Sequence, residues 1–299
     1  MNSTNKTTAV ILCLFGAALV LVGQAGAQSP LPGDAVRGAA LYDAWYNVLD
    51  TLPPDYDQPL WATQESDKRS GVITWRCESC HGWDYKGVEG AAAPGAPNYT
   101  GFPGVRGMVG ASEQDVLAWL DGSNNPDHDF SPYLKQASLD DITAFLLTRQ
   151  VDLALLVNYQ TKSAMGNWEH GRKLYSRNCL ECHRPETDPL QPTNTTTTAL
   201  AELALSDPWM VVHKVRFGHP ASKMPAFEAQ GWTLQDVADV VAFMQKLPPS
   251  EEYTSEIEAQ SQGSQFDNSR QGETGGIIIG AAVIVIIIFG GMLWDNRKK

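Results

Sequence analysis

Four cysteines and two histidines stand out by their spacing, as Cys77-Glu78-Ser79-Cys80-His81 and Cys179-Leu180-Glu181-Cys182-His183. Two thiols three residues apart can add to the two vinyl groups of one heme, and the adjoining imidazole can bind the iron from one side. The same residues could serve a zinc site of four Cys and two His, or two short-loop disulfides. Zinc gives no reason for two self-contained half-sites about 100 residues apart. A redox disulfide of the thioredoxin kind would come with strands and would not need the following histidine. The pattern therefore predicts two covalently attached hemes c, with Cys77, Cys80, Cys179 and Cys182 as anchors and His81 and His183 as proximal iron ligands.

The elements that must position these groups are also written twice. Gly33-x4-Gly38-x3-Tyr42 recurs as Gly166-x4-Gly171-x3-Tyr175, and Asp141-x-x-Ala144-Phe145 recurs as Asp239-x-x-Ala242-Phe243. The second phrase lies in apolar-periodic stretches that open at Ser138 and Thr233, each with an acid three residues on, as in a helix capping box. Further helices are expected to begin at Ser112 and Ser206. With no strand-like alternation of any length, the expectation is an all-α chain with two tandem units, 28–152 and 163–248. From Tyr175 to Cys179 is four residues, whereas from Tyr42 to Cys77 is 35. The first unit thus carries an insertion, about 43–72, rich in Pro, Asp and aromatics, expected as a loop over the heme edge or against the other unit. Trp83, Asp84 and Tyr85 are expected beside the heme by proximity in sequence.

Each unit resembles a class I c-type cytochrome domain: an N-terminal helix, C-x-x-C-H, a later axial ligand, and a C-terminal helix bearing an aromatic. The resemblance covers residues of about 33–150 and 166–248. It implies that Gly38 and Tyr42 meet Phe145, and that Gly171 and Tyr175 meet Phe243. It also implies a sixth iron ligand. Met224-Pro225-Ala226-Phe227 is similar to the family's M-P-x-F segment, which makes Met224 the candidate in the second unit, with His213 and His219 as competitors. The first unit has no methionine at that place. Aligning the two copies sets His128, in Asp127-His128-Asp129, opposite Met224. Met108 and an open or water-bound iron are the alternatives there. Methionine ligation raises heme potential relative to paired imidazoles, so the first heme is expected at the lower potential.

The two ends suggest where this chemistry happens. Residues 1–27 read as a secretory signal: Lys6, an apolar run containing Cys13, then Ala25-x-Ala27 as a cleavage site. Residues 275–294 form an uncharged, isoleucine-rich stretch long enough to span a bilayer as a transmembrane helix, followed by a basic tail, 295–299. The polar segment 249–274 reads as a flexible linker with a reach of about 30 Å. The expected topology is an extracytoplasmic, periplasm-facing head on a single C-terminal anchor in the cytoplasmic membrane. Removal of the tail as a sorting signal is the alternative.

The whole chain carries −12 formal charge. Setting aside one Lys in 1–27, and three basic residues and one Asp in 275–299, leaves about −15 on residues 28–274. That balance argues against nucleic acid as a partner and favours redox proteins with basic docking patches. The expected function is electron transfer by a membrane-tethered diheme cytochrome c between exported respiratory partners, not catalysis. The alternatives are a diheme enzyme of the peroxidase type with an open or displaceable first heme, or the cytochrome subunit of a larger dehydrogenase complex. A thiosulfate dehydrogenase would use an axial cysteine, and none is left once four thiols hold heme and Cys13 departs with the signal.

Overall fold

The computed structural model describes residues 31–183 and 200–247. The expected signal 1–27, linker 249–274, membrane anchor 275–294 and tail 295–299 lie outside the described residues. The helices are α1 (Ala35–Val48), α2 (Cys77–His81), α3 (Glu113–Leu120), α4 (Gln136–Thr148), α5 (Trp168–Asn178), α6 (Leu200–Ser206), α7 (Pro208–Phe217) and α8 (Leu234–Met244). Among the described residues there are only isolated β-bridges and no strand, and no helix is long and apolar enough to cross a membrane.

Two helix crossings organise the chain, α1 on α4 and α5 on α8, and they use the same devices. Asp34 caps α1 by accepting hydrogen bonds from the Val36 and Arg37 amides, at 2.9 and 3.1 Å. Its own amide donates to Asp141 Oδ1 on α4 at 2.6 Å. Asn167 repeats this for α5, accepting from Glu169 and His170 at 3.0 and 3.1 Å and donating its amide to Asp239 Oδ1 at 2.6 Å. The remaining carboxylate oxygens pair with Arg37 in one unit and with His170 Nδ1, at 2.8 Å, in the other. The caps thus fix the register of the helix pairs as well as satisfying orphan amides.

At the crossings the backbones touch. A Cβ on Gly38 would lie 1.9 Å from the Asp141 carbonyl oxygen, and one on Gly171 would lie 1.9 Å from that of Asp239. One helical turn further on, Tyr42 packs on Phe145 (ring centroids 5.5 Å apart) and Tyr175 on Phe243 (5.2 Å). The aromatic pairing implied by the family resemblance is present in both units.

Two helix starts differ from the expectation. Ser138 is buried inside α4, which begins at Gln136 with Lys135 as its cap. The carboxylate that would complete a capping box with Ser138 belongs to Asp141, which is engaged by the start of α1 instead. Ser206 ends α6; α7 starts at Pro208, capped by Asp207, which accepts from the Met210 amide at 3.0 Å. Proline at the first helical position has no amide to satisfy, which favours the start there. Ser112 and Thr233 cap α3 and α8, each in a full capping box.

The front of the expected insertion is helical, because α1 runs on to Val48 past a break at Ala44 (φ −157°, ψ 84°). The rest forms 3-10 turns at Pro59–Thr63 and Gly71–Trp75. Buried indoles fasten it: Trp45 Nε1 donates to the Trp75 carbonyl at 2.9 Å, and Trp75 Nε1 to that of Tyr56 at 2.6 Å.

Gly38→Ala and Gly171→Ala are each expected to destabilise the protein by about 3 kcal/mol or more, because the clash is with backbone that cannot turn aside. Urea unfolding of the holoprotein measures this, and loss of less than about 1 kcal/mol at either position would contradict a backbone contact there.

Candidate heme sites

α2 is the first C-x-x-C-H run itself, so its short helical turn sets Cys77, Cys80 and His81 along one wall of a cavity of about 340 Å³. The other walls come from α1 (Tyr42), α3 (Val116, Leu120) and α4 (Ile142, Leu146), with Phe102 to Val105 closing the side below His81. The insertion contributes Gln58, Leu60 and Thr74, so it does cover this site. The lining is mostly aliphatic and aromatic, the setting that suits a porphyrin face.

His128 enters the same cavity on the 3-10 turn Pro126–His128 and faces His81, with ring centroids 6.1 Å apart. Two imidazoles bound to one metal at about 2.0–2.1 Å per bond would hold their centroids about 6 Å apart. Each ring is also fixed in tautomer. His81 Nδ1 lies 2.7 Å from the Pro103 carbonyl oxygen and His128 Nδ1 lies 2.8 Å from that of Trp119. A carbonyl only accepts, so both Nδ1 atoms are protonated and both Nε2 atoms keep a lone pair for a metal. Burial holds both rings neutral, that of His81 down to about 4.

Met108 lines this cavity too, at the end of the turn Arg106–Met108. It lacks the fixed opposition to His81 that the Trp119 carbonyl gives His128. Cys77 and Cys80 are unbridged thiols, pushed up to about 12 by burial. Among the described residues no three His, Cys, Asp or Glu side chains converge as a metal site. The donor set and apolar walls therefore fit heme, which Cys77, Cys80 and His81 would hold with His128 across the cavity.

The second site is described by fewer residues, because 184–199, which follow His183, lie outside the described part. Cys179 is buried below the end of α5, Cys182 is exposed and His183 is half-buried. Tyr175 Oη donates to the His183 carbonyl at 2.7 Å, as Tyr42 Oη does to that of Gly82 at 2.7 Å. Both tyrosines thus tie the N-terminal helix to the end of the heme motif. Met224 is half-buried on the turn after α7. Gly218 (φ +82°) lets that turn fold back until a Cβ there would sit 2.8 Å from the Met224 carbonyl oxygen.

His213 and the Trp83–Tyr85 run have a role the sequence did not reveal. His213 on α7 is fully buried against the first unit. Its Nε2 donates to the Ala39 carbonyl at 3.0 Å, and its Nδ1 accepts from Tyr85 Oη at 2.8 Å. With both nitrogens engaged it is not available as an iron ligand. His219 is exposed on the following turn. Trp83 stacks on His213, 5.1 Å between ring centroids, so Trp83 and Tyr85 join the units rather than line the heme cavity. Asp84 bonds the Tyr159 hydroxyl of the inter-unit segment at 2.9 Å.

Beside His213 is a buried charge cluster: Asp43 bonds Lys214 and Arg76, and Arg76 reaches Glu78 at 3.1 Å. Burial raises the Asp43 carboxyl, but Lys214 and Arg76 outweigh it and leave it below the usual range. Glu78, between Cys77 and Cys80, goes the other way, raised by burial to about 7 against the opposing pull of Arg76. None of these pairings carries a sequence motif, and the Lys214 pair depends on how α7 docks.

Residues 166–244 match the family model of cytochrome c oxidase, cbb3-type, subunit III. The matched span runs from Gly166, just before α5, to the last residue of α8. It supports a c-type cytochrome with covalently bound heme c and electron transfer as its chemistry. No curated protein matches the chain.

Burial lowers His213 from 6.5 to about 3. Between those values the unfolded chain holds a proton that the folded one does not, so stability falls as pH drops through that window. His213→Gln is expected to flatten this acid dependence. Urea midpoints from pH 7 downward test it, and parallel curves for the two proteins would count against a buried neutral imidazole.

Proposed function

We propose that this protein is a diheme c-type cytochrome that relays electrons between exported redox partners while tethered to the membrane by its C-terminal segment. Cys77 and Cys80, and Cys179 and Cys182, would hold heme c through thioethers, and the bound group would supply one-electron exchange. The observation that carries the reading is the facing pair His81 and His128, each with Nδ1 occupied by a backbone carbonyl and Nε2 left for a metal. With both imidazoles engaged, the first heme would leave no open position for substrate, which suits a carrier better than a peroxidase. His183 and Met224 are assigned to the second iron.

Unlike ligands give the relay a direction. A thioether ligand at Met224 would raise the potential of the second heme relative to one held by His81 and His128. Electrons would then enter at the first unit and leave from the second. The negative head selects for basic partners, chiefly through the rate of encounter. The cbb3-type family match favours a second reading of the same chemistry, in which the head is a fixed subunit of a larger oxidase or dehydrogenase complex. Mild-detergent purification from membranes separates the two: a stable stoichiometric partner marks a subunit, and a chain recovered alone marks a free carrier.

Two measurements test the assignment. Redox titration is expected to resolve two midpoints, and two indistinguishable ones would contradict unlike ligation. Carbon monoxide is expected to bind neither reduced heme readily in the wild type, and to bind one heme per chain in His128→Ala. An unaltered first-heme spectrum in that variant would remove His128 from the iron and return the choice to Met108.

A further inference from the structure

The insertion in the first unit does more than cover the cavity, because one of its side chains holds the turn that carries His128. Gln58 is 4% exposed and lines the cavity. Its Oε1 accepts from the Leu60 amide at 2.7 Å, which fixes the orientation of the side-chain amide. That leaves Nε2 to donate, and it does so to the carbonyl oxygen of Asp127 at 2.6 Å, the peptide group that joins Asp127 to His128. Gln58 is itself braced, because its backbone amide donates to Thr74 Oγ1 at 2.9 Å, whose hydroxyl donates to the Gly71 carbonyl at 2.7 Å. The two 3-10 turns of the insertion are thereby joined behind it.

The rest of the His128 turn is fastened separately. Asn125 caps it by accepting from the Asp127 amide at 3.1 Å, and the imidazole is oriented by the Trp119 carbonyl at 2.8 Å. Phe130 packs edge-on against His128 at 5.1 Å, and Trp75 of the insertion packs edge-on against Phe130 at 5.9 Å. Asn125 and Trp119 belong to the segment that carries the ligand. Gln58 and Trp75 are contributed from about 60 residues earlier in the chain. The Asp127 carbonyl thus gives the turn that carries His128 a tie to the insertion beyond its own local bonds.

We infer that Gln58 is a positioning residue for the first heme: through the Asp127 carbonyl it holds His128 on the iron and so keeps that heme closed to outside ligands. The inference rests on the reading of His128 as the sixth ligand. It also gives the insertion a purpose that accounts for its presence in one unit only. The second unit, whose candidate ligand is Met224 on a turn held by Gly218, has only three residues between Tyr175 and Cys179.

The experiment is carbon monoxide binding to the reduced holoprotein in four forms: wild type, Gln58→Leu, His128→Ala and the double variant. Loss of one buried hydrogen bond predicts about a tenfold rise in first-heme affinity for Gln58→Leu, with the second heme unchanged. His128→Ala is expected to rise further, and adding Gln58→Leu to it should give no additional increase, because the residue acts only through His128. Gln58→Glu, which can still accept from the Leu60 amide but presents no donor to Asp127, should behave like Gln58→Leu. If His128→Ala opens the heme and both Gln58 variants match wild type, the positioning role is overturned while the ligand assignment stands. If His128→Ala changes nothing, the ligand assignment itself falls. Additive effects in the double variant, or a Gln58→Leu chain that incorporates no first heme, would make Gln58 part of the general fold of the pocket and would also overturn the proposal.

Discussion

The first unit rests on one pairing: two imidazoles, one on a helical turn and one on a distant 3-10 turn, meet in one apolar cavity with ring centres 6.1 Å apart. Neither turn can do this alone. His81 is aimed by the Pro103 carbonyl and His128 by the Trp119 carbonyl, so each ring is oriented by backbone on the segment that closes its side of the cavity. Carbonyl acceptors are well suited to this, because they impose one tautomer without bringing charge into an apolar pocket. The insertion then ties the less secure of the two turns to the body of the unit.

That arrangement needs a frame that does not yield, and the crossing of the N- and C-terminal helices supplies it. Glycine at the crossing allows backbone-to-backbone contact, and a single aspartate on the C-terminal helix receives the start of the N-terminal one. The tyrosine that follows bonds the carbonyl at or just after the heme motif. These devices recur in both units with almost the same distances, which ties the helix frame to the heme-binding turn in each. Between units the join is of another kind. A buried neutral histidine, a tyrosine and a compact set of ion pairs bring α7 against α1, next to Glu78 inside the first heme motif. Burial of that cluster is costly unless every partner stays in place, so the two sites are held in a fixed relation rather than swinging independently.

Much of this was legible in the residues. The cysteine spacing, the paired glycine phrases and the aromatic partners identify the helical units and their crossings, because each rests on a local pattern that recurs. His128 was legible only through alignment of the two copies. The rest depends on contacts remote in sequence. His213 reads as an ordinary helix residue until α7 is seen against Ala39 and Tyr85. Ser138 has the spacing of a cap, yet the aspartate that would complete it is taken by another helix. Gln58 carries no signal at all, since a glutamine in a proline-rich loop looks like solvent-facing chain until its amide is traced to Asp127.

The central claim is that the first iron is held between two imidazoles and the second between imidazole and thioether. Near-infrared magnetic circular dichroism of the fully oxidised protein addresses this directly, because the energy of the low-spin ferric charge-transfer band depends on the axial pair. The account predicts two bands of equal weight, one of the paired-imidazole type and one of the imidazole–methionine type. Two bands of the imidazole–methionine type, or a high-spin signal from half of the heme, would contradict it.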